Sequence, residues 1–186
     1  GYQTGYALST GQANVLLGAD AGQALTTGNS NVAVGYQALK TETAYGGNTA
    51  VGREALETLD AGVDAYNVAV GHQAGHVMST GVRNTLIGGG YAGAALTTGS
   101  YNVAVGYGAL QSEDAHGLNT AVGMQALNAL NAGANGYNVA MGYQASLYMT
   151  TGVQNAVIGG LAGDALVSGE RNVVMGHGAL GAANGS

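Results

Sequence analysis

The apolar positions of this chain fall in short blocks that recur at an almost fixed interval. Each block is Asn, three apolar or Thr residues, then Gly. Blocks begin at Asn14 (NVLLG), Asn31 (NVAVG), Asn48 (NTAVG), Asn67 (NVAVG), Asn84 (NTLIG), Asn102 (NVAVG), Asn119 (NTAVG), Asn138 (NVAMG), Asn155 (NAVIG) and Asn172 (NVVMG). Successive Asn residues are 17, 17, 19, 17, 18, 17, 19, 17 and 17 positions apart. Such a period is the signature of a solenoid. The expected fold is a mainly β repeat solenoid, a parallel β-roll or β-helix of about ten coils of 17–19 residues, with one short strand per coil.

In an extended segment the first and third apolar positions share one face and the middle position faces the other way. Both faces are apolar in every block, which predicts a strand covered on both sides. A coil this small has only its own return segment to offer as one cover. The second cover is expected from a neighbouring chain, with the third-position residues Val34, Val51, Val70, Ile87, Val105, Val122, Met141 and Ile158 at that chain interface. The return segment predicts a short helical turn. Ala21, Ala24 and Leu25, and again Ala92, Ala95 and Leu96, stand at i, i+3, i+4. Helix formers fill residues 53–59 and 124–130. A second strand also fits, because i and i+4 share a strand face.

The ten Asn residues, stacked at one corner, are expected to form an amide ladder, and the Gly after each strand to allow a sharp turn. A higher order groups the coils in fours. It divides a single array, 1–186, into units of about 1–70, 71–141 and 142–186. The two 19-residue coils fall at the same place in successive units, so their extra residues, near 63–66 and 134–137, are expected to bulge from one edge. The chain starts at Gly1-Tyr2-Gln3, which matches Gly142-Tyr143-Gln144, and so is expected to be a piece of a longer fibre whose end coils are open or covered by another subunit.

Composition narrows the function classes. Glycine occurs 35 times, and Pro, Cys, Trp and Phe are absent. With 46% hydrophobic and 8% charged residues the chain is neither disordered nor collagen-like. Four basic residues (Lys40, Arg53, Arg83, Arg171) in a chain of net charge −6 cannot track phosphates, so nucleic acid is not an expected partner. No apolar run reaches the roughly 18 residues of a membrane span. His72 and His76 are spaced i, i+4 like two metal ligands, but no third ligand accompanies them and His72 takes the place of Tyr36, Tyr107 and Tyr143. Those Tyr residues offer surface for sugars, though a repeating Tyr is first a packing residue. Glu54, Glu57, Asp60 and Asp64 read as a solvated edge. A nearly uniform repeat offers no unique catalytic constellation, so no enzyme activity, cofactor or metal is expected.

The repeats resemble two groups. One is the β-roll head of trimeric autotransporter adhesins. The other is the repeat region of phage-type tail fibres, to which residues 31–39 and the stretch from Gly142 to Gly152 are similar. The resemblance implies a homotrimeric fibre shaft or adhesive head, extracellular or on a virion surface, with a host-surface glycan or protein as its candidate partner. The alternative is a self-assembling extracellular filament or surface-layer component of a cell.

Overall fold

The computed structural model describes residues 1–181; the short tail ending at Ser186 lies outside the described residues. The chain is a parallel β-solenoid. Ten three-residue strands run β1 (Val15–Leu17), β2 (Val32–Val34), β3 (Thr49–Val51), β4 (Val68–Val70), β5 (Thr85–Ile87), β6 (Val103–Val105), β7 (Thr120–Val122), β8 (Val139–Met141), β9 (Ala156–Ile158) and β10 (Val173–Met175). They form one sheet in chain order. The register is uniform, so that Val32 pairs with Val15 and Thr49, and Ala33 with Leu16 and Ala50. At about 4.8 Å per strand the sheet runs roughly 45 Å along the stack.

Gly ends each strand, and at nine of the ten strand ends, all but Gly88, the backbone takes a left-handed or positive-φ conformation that disfavours side chains. Gly106 has φ +130°, and a Cβ on it would sit 2.6 Å from the Gly123 carbonyl oxygen of the next coil. The same close approach recurs up the stack, which accounts for an unvarying Gly after the strand.

The expected helical turn does not form: no helix is present among the described residues, and none therefore is long and apolar enough to cross a membrane. The return segment alternates right- and left-handed residues instead. Gln37 (φ 55°) and Leu39 (φ 49°) are left-handed, as are Gln125 (58°) and Leu127 (49°). The consequence is the direction of the N–H groups. Gln37 donates to Ala19 of the coil before (3.0 Å), Leu39 to Ala55 of the coil after (3.0 Å), and Thr41 to Glu57 (3.2 Å). A helix would turn these donors along its own axis and leave adjacent coils unbonded. Of the i, i+3, i+4 set, the i and i+4 residues face inward, Ala21, Leu25, Ala92 and Leu96 being fully buried, whereas the i+3 residues Ala24 and Ala95 are only half-buried. The spacing did not distinguish a helix from nested turns.

The grouping of coils by fours has a packing cause. The middle strand residue and the second left-handed turn residue of a coil share the core, and in seven coils their sizes complement each other; in two others, Ala69 with Gly75 and Ala140 with Ser146, both are small, and at Gly75 the space is taken by Leu56 and Leu86 of the adjacent coils. Leu16 is matched with Gly22, Leu86 with Gly93 and Val157 with Gly163; Ala33, Ala50, Ala104 and Ala121 are matched with Leu39, Leu56, Leu110 and Leu127. A Cβ on Gly93 would lie 2.8 Å from the Leu86 side chain. Where Leu replaces Gly in the turn, a left-handed residue costs about 1–2 kcal/mol, and burying Leu returns about as much or more. Ala104→Leu should therefore destabilise by about 1–3 kcal/mol through overpacking. Adding Leu110→Gly to it should cost at least about 1 kcal/mol less than the two single changes summed. Urea denaturation of the two singles and the double checks this.

Candidate interaction face and its asparagine ladder

The ten ladder Asn residues stack at the N-terminal end of their strands. Those from Asn31 to Asn155 are 0–2% exposed. Each Oδ1 accepts a hydrogen bond from the backbone N–H of the next ladder Asn, at 2.9–3.2 Å, without a break from Asn14 to Asn172. Most Nδ2 groups donate to a carbonyl of the following coil, as Asn67 does to Gly81 (2.8 Å) and Asn84 to Gly99 (2.9 Å). The expected bonds between side-chain amides also occur, as from Asn84 to Asn67 (3.2 Å), but the continuous element runs from side chain to backbone. Asn48 and Asn119, which open the two widened coils, turn Nδ2 back to Gly46 (3.4 Å) and Gly117 (3.3 Å) of their own turns. The widened coils bulge where expected. Val63 and Tyr66 are exposed, while Ala65 is buried beneath them.

With the strand ends fixed, the middle residues Ala33, Ala50, Ala69, Leu86, Ala104, Ala121, Ala140 and Val157 point into the solenoid and are buried. The first and third positions point outward. Val34, Val51, Val70, Ile87, Val105, Val122, Met141 and Ile158 lie in one line on this outer face, half-buried at mid-rod or exposed. The outward strand positions carry Val, Leu, Ile, Met, Ala and Thr, and no charge. Aromatic and basic residues flank the stripe. Before the strands, Arg83 is stacked between the rings of Tyr66 (6.0 Å) and Tyr101 (5.4 Å) and donates from Nη1 to the Tyr101 hydroxyl at 2.7 Å. After the strands, Arg53 lies over Tyr36 (5.9 Å), and the Tyr107 ring meets Tyr91 edge-on (6.2 Å).

The return side carries the polar groups, and they pair across coils. Lys40 Nζ stands 3.5 Å from Glu57, whose other oxygen is 3.2 Å from His76 Nδ1. Gln73 donates to Glu54 (2.7 Å), and with Arg53 beside it this holds the Glu54 carboxyl below its ordinary range. Asp64 accepts from Gly46 N–H (2.9 Å). Glu54 and Glu57 are thus bonded, buried or half-buried parts of the stack rather than the solvated edge expected, while Asp60 and Asp64 are exposed at the edge. The threonine hydroxyls serve the same end, Thr26 donating to the Thr43 carbonyl at 2.9 Å. Two sets of donor atoms, Glu54–Glu57–His76 and Glu113–Asp114–His116, lie close enough for a cation. Neither includes His72, so the His72–His76 pair is not brought to one point. Glu54 is already bonded to Gln73, Glu57 is paired with Lys40, and Glu113 accepts from the Ala132 N–H.

The sequence reading missed Glu42 and Glu113. Both are fully buried, in the core column that otherwise holds Leu25, Leu59, Met78, Leu96, Leu130, Met149 and Leu166. Glu42 accepts from the N–H groups of Thr43 (3.1 Å) and Tyr45 (3.2 Å), and from Ala61 of the widened coil (3.5 Å). Glu113 does the same for His116 (3.2 Å) and Ala132 (3.2 Å). Each pins the turn of its own coil to the start of the bulge in the next. Aligning the coils on their Asn residues would have revealed an acid in an apolar column.

Comparison of the chain with protein-family models, with curated proteins and with solved structures returned no match.

Burial pushes the Glu42 carboxyl up, against the lowering by its backbone N–H partners and with a further push from Asp60. A raised carboxyl favours the protonated fold, so its contribution to stability grows as pH falls and is lost as pH rises through the folded-state value. Between about pH 7 and pH 5 the wild type should therefore gain thermal stability relative to Glu42→Gln, in which this titration is gone. Parallel melting curves for the two proteins across that range would contradict it.

Proposed function

We propose that the chain is a structural rod segment of an extracellular or virion fibre, in which three copies pack their outer strand faces about a common axis. The observation that carries this reading is the chargeless outer face. A stripe of ten strands, each about 10 Å long, presents on the order of 450 Å² of mostly apolar surface. A continuous patch of that size marks an interaction site. A stable interface needs about 800 Å² from each partner. The side chains that follow the strands, Tyr36, Arg53, Tyr107, Met124 and Tyr143, add to the stripe on that side, while the row before the strands, with Tyr101, stays uncovered. The number three rests on the resemblance to trimeric fibres and adhesin heads, and so does the placement outside the cell. A non-catalytic role is supported by the near-identity of successive coils. Hydrogen bonds from coil to coil around the whole circuit suit a shaft that bears load along its axis.

Sedimentation equilibrium at micromolar concentration tests the reading. The wild type should have three times the chain mass. Val70→Lys with Val105→Lys places two ammonium groups at mid-face, where burial in an interface would strip them of water. That variant should sediment as a monomer and keep its β-type circular dichroism. A wild-type monomer at that concentration would overturn the reading, and an open-ended polymer would favour a filament or surface layer over a trimeric shaft.

A further inference from the structure

We propose that a groove on the solenoid edge beside Tyr101 binds a neutral pyranose sugar. The groove has a volume of about 310 Å³ and is lined by Thr98, Ser100, Tyr101, Ala115, Gly117, Leu118 and Asn135. These residues come from three successive coils, just before the strands that start after Asn102, Asn119 and Asn138. The volume is at the lower end of the ~300–1,000 Å³ typical of small-molecule sites, which suits one or two sugar rings.

The groove is where the chain departs from its own repeat. The positions 71 residues earlier are Thr27, Asn29, Ser30, Ala44, Gly46, Gly47 and Asp64. Thr, Ala and Gly are kept, so the floor is the same. The rest are not: Ser100 replaces Asn29, Tyr101 replaces Ser30, Leu118 replaces Gly47 and Asn135 replaces Asp64. In the first unit the Tyr66 ring lies against Gly47, 2.6 Å from where a Cβ would sit, and covers the place that Leu118 takes in the second. These changes add two apolar walls and remove the one charge.

The resulting surface has the chemistry a neutral sugar needs. The half-exposed Tyr101 ring is held by Arg83, which stacks on it and binds its hydroxyl, so little freedom is lost when a ligand packs against it. Its face and Leu118 suit the C–H face of a pyranose. The Thr98 and Ser100 hydroxyls lie on the rim. Asn135 Oδ1 accepts from Gly117 N–H at 3.1 Å, which fixes the amide and leaves Nδ2 without a partner among the described residues. No charged side chain lines the groove, so a carboxylated or phosphorylated ligand gains nothing from it. All the lining residues belong to one chain, and the site does not depend on the proposed trimer.

The test uses the whole protein in its native assembly. The methyl glycosides of glucose, galactose, mannose and N-acetylglucosamine are each titrated to about 50 mM, with binding followed by saturation-transfer NMR. At least one should bind saturably and perturb the Leu118 and Ala115 methyl signals. Tyr101→Ser, which installs the residue the first unit carries at the same left-handed position, should weaken it at least about fivefold. Tyr148→Ala, which removes an exposed tyrosine outside the groove, should leave it unchanged. Silence from all four glycosides would overturn the proposal. So would affinity unchanged in Tyr101→Ser, or binding confined to the negatively charged methyl glycoside of N-acetylneuraminic acid.

Discussion

A backbone N–H or C=O taken out of water must find a partner, and in a stack of coils about 17 residues long most of those partners lie in the coils above and below. The buried asparagine is where this requirement is strictest. Its side chain presents an acceptor and two donors inside the corner of the coil, where an unpartnered amide costs about 2–7 kcal/mol. The ladder meets that demand by giving Oδ1 to the N–H of the next Asn and Nδ2, in most coils, to a carbonyl beyond it. The spacing and register of neighbouring coils follow, and with them the uniform pairing of ten strands only three residues long. Left-handed residues in the return segment extend the same pattern around the circuit, at a local strain that the cross-coil bonds and buried Leu side chains offset.

Once register is fixed, side-chain size and charge decide the rest. Inside, a large residue at the strand faces a Gly in the turn, a small one faces a Leu in the next two coils, and a small one faces Gly75 or Ser146 in the fourth, and this sequence of pairings makes the four-coil unit. Glu42 and Glu113 interrupt the apolar column once per unit and join a regular coil to the widened one after it. Outside, the strand face carries no charge and is only half-buried within its own chain, which is the physical basis for the proposal that other copies pack there. The edges are freer of the packing constraint, and there the units differ, as Tyr101, Leu118 and Asn135 do from Ser30, Gly47 and Asp64.

Much of this was legible in the sequence because the repeat aligns equivalent positions ten times. The strands, the Asn corner, the Gly turn and the bulges near residues 63–66 and 134–137 all follow from interval and alternation. The outward and inward strand positions follow too, once the small middle residues are matched to a narrow interior. The turn conformation was not legible: Ala21 and Leu25 face the core at a spacing that a helix and a pair of nested turns both satisfy, and left-handed φ at Gln37 or Leu39 has no residue-type signal. Glu42 and Glu113 were hidden because each sits among polar neighbours and only the alignment of coils puts it in a column of Leu and Met. The groove was invisible because its walls come from three coils and gain meaning only by contrast with the unit before.

Residue-resolved hydrogen exchange measures the ladder most directly. The backbone amides of Asn48, Asn67, Asn84, Asn102, Asn119 and Asn138 should be among the slowest to exchange, all near the rate set by global unfolding, although each donates to a side chain rather than to a regular strand ladder. The bulge amides of Gly62 and Gly133, beside which nothing lies within 4 Å of the position a Cβ would take, should exchange orders of magnitude faster. Asn amides that exchange as fast as those bulges would mean that the ladder does not hold the coils in register.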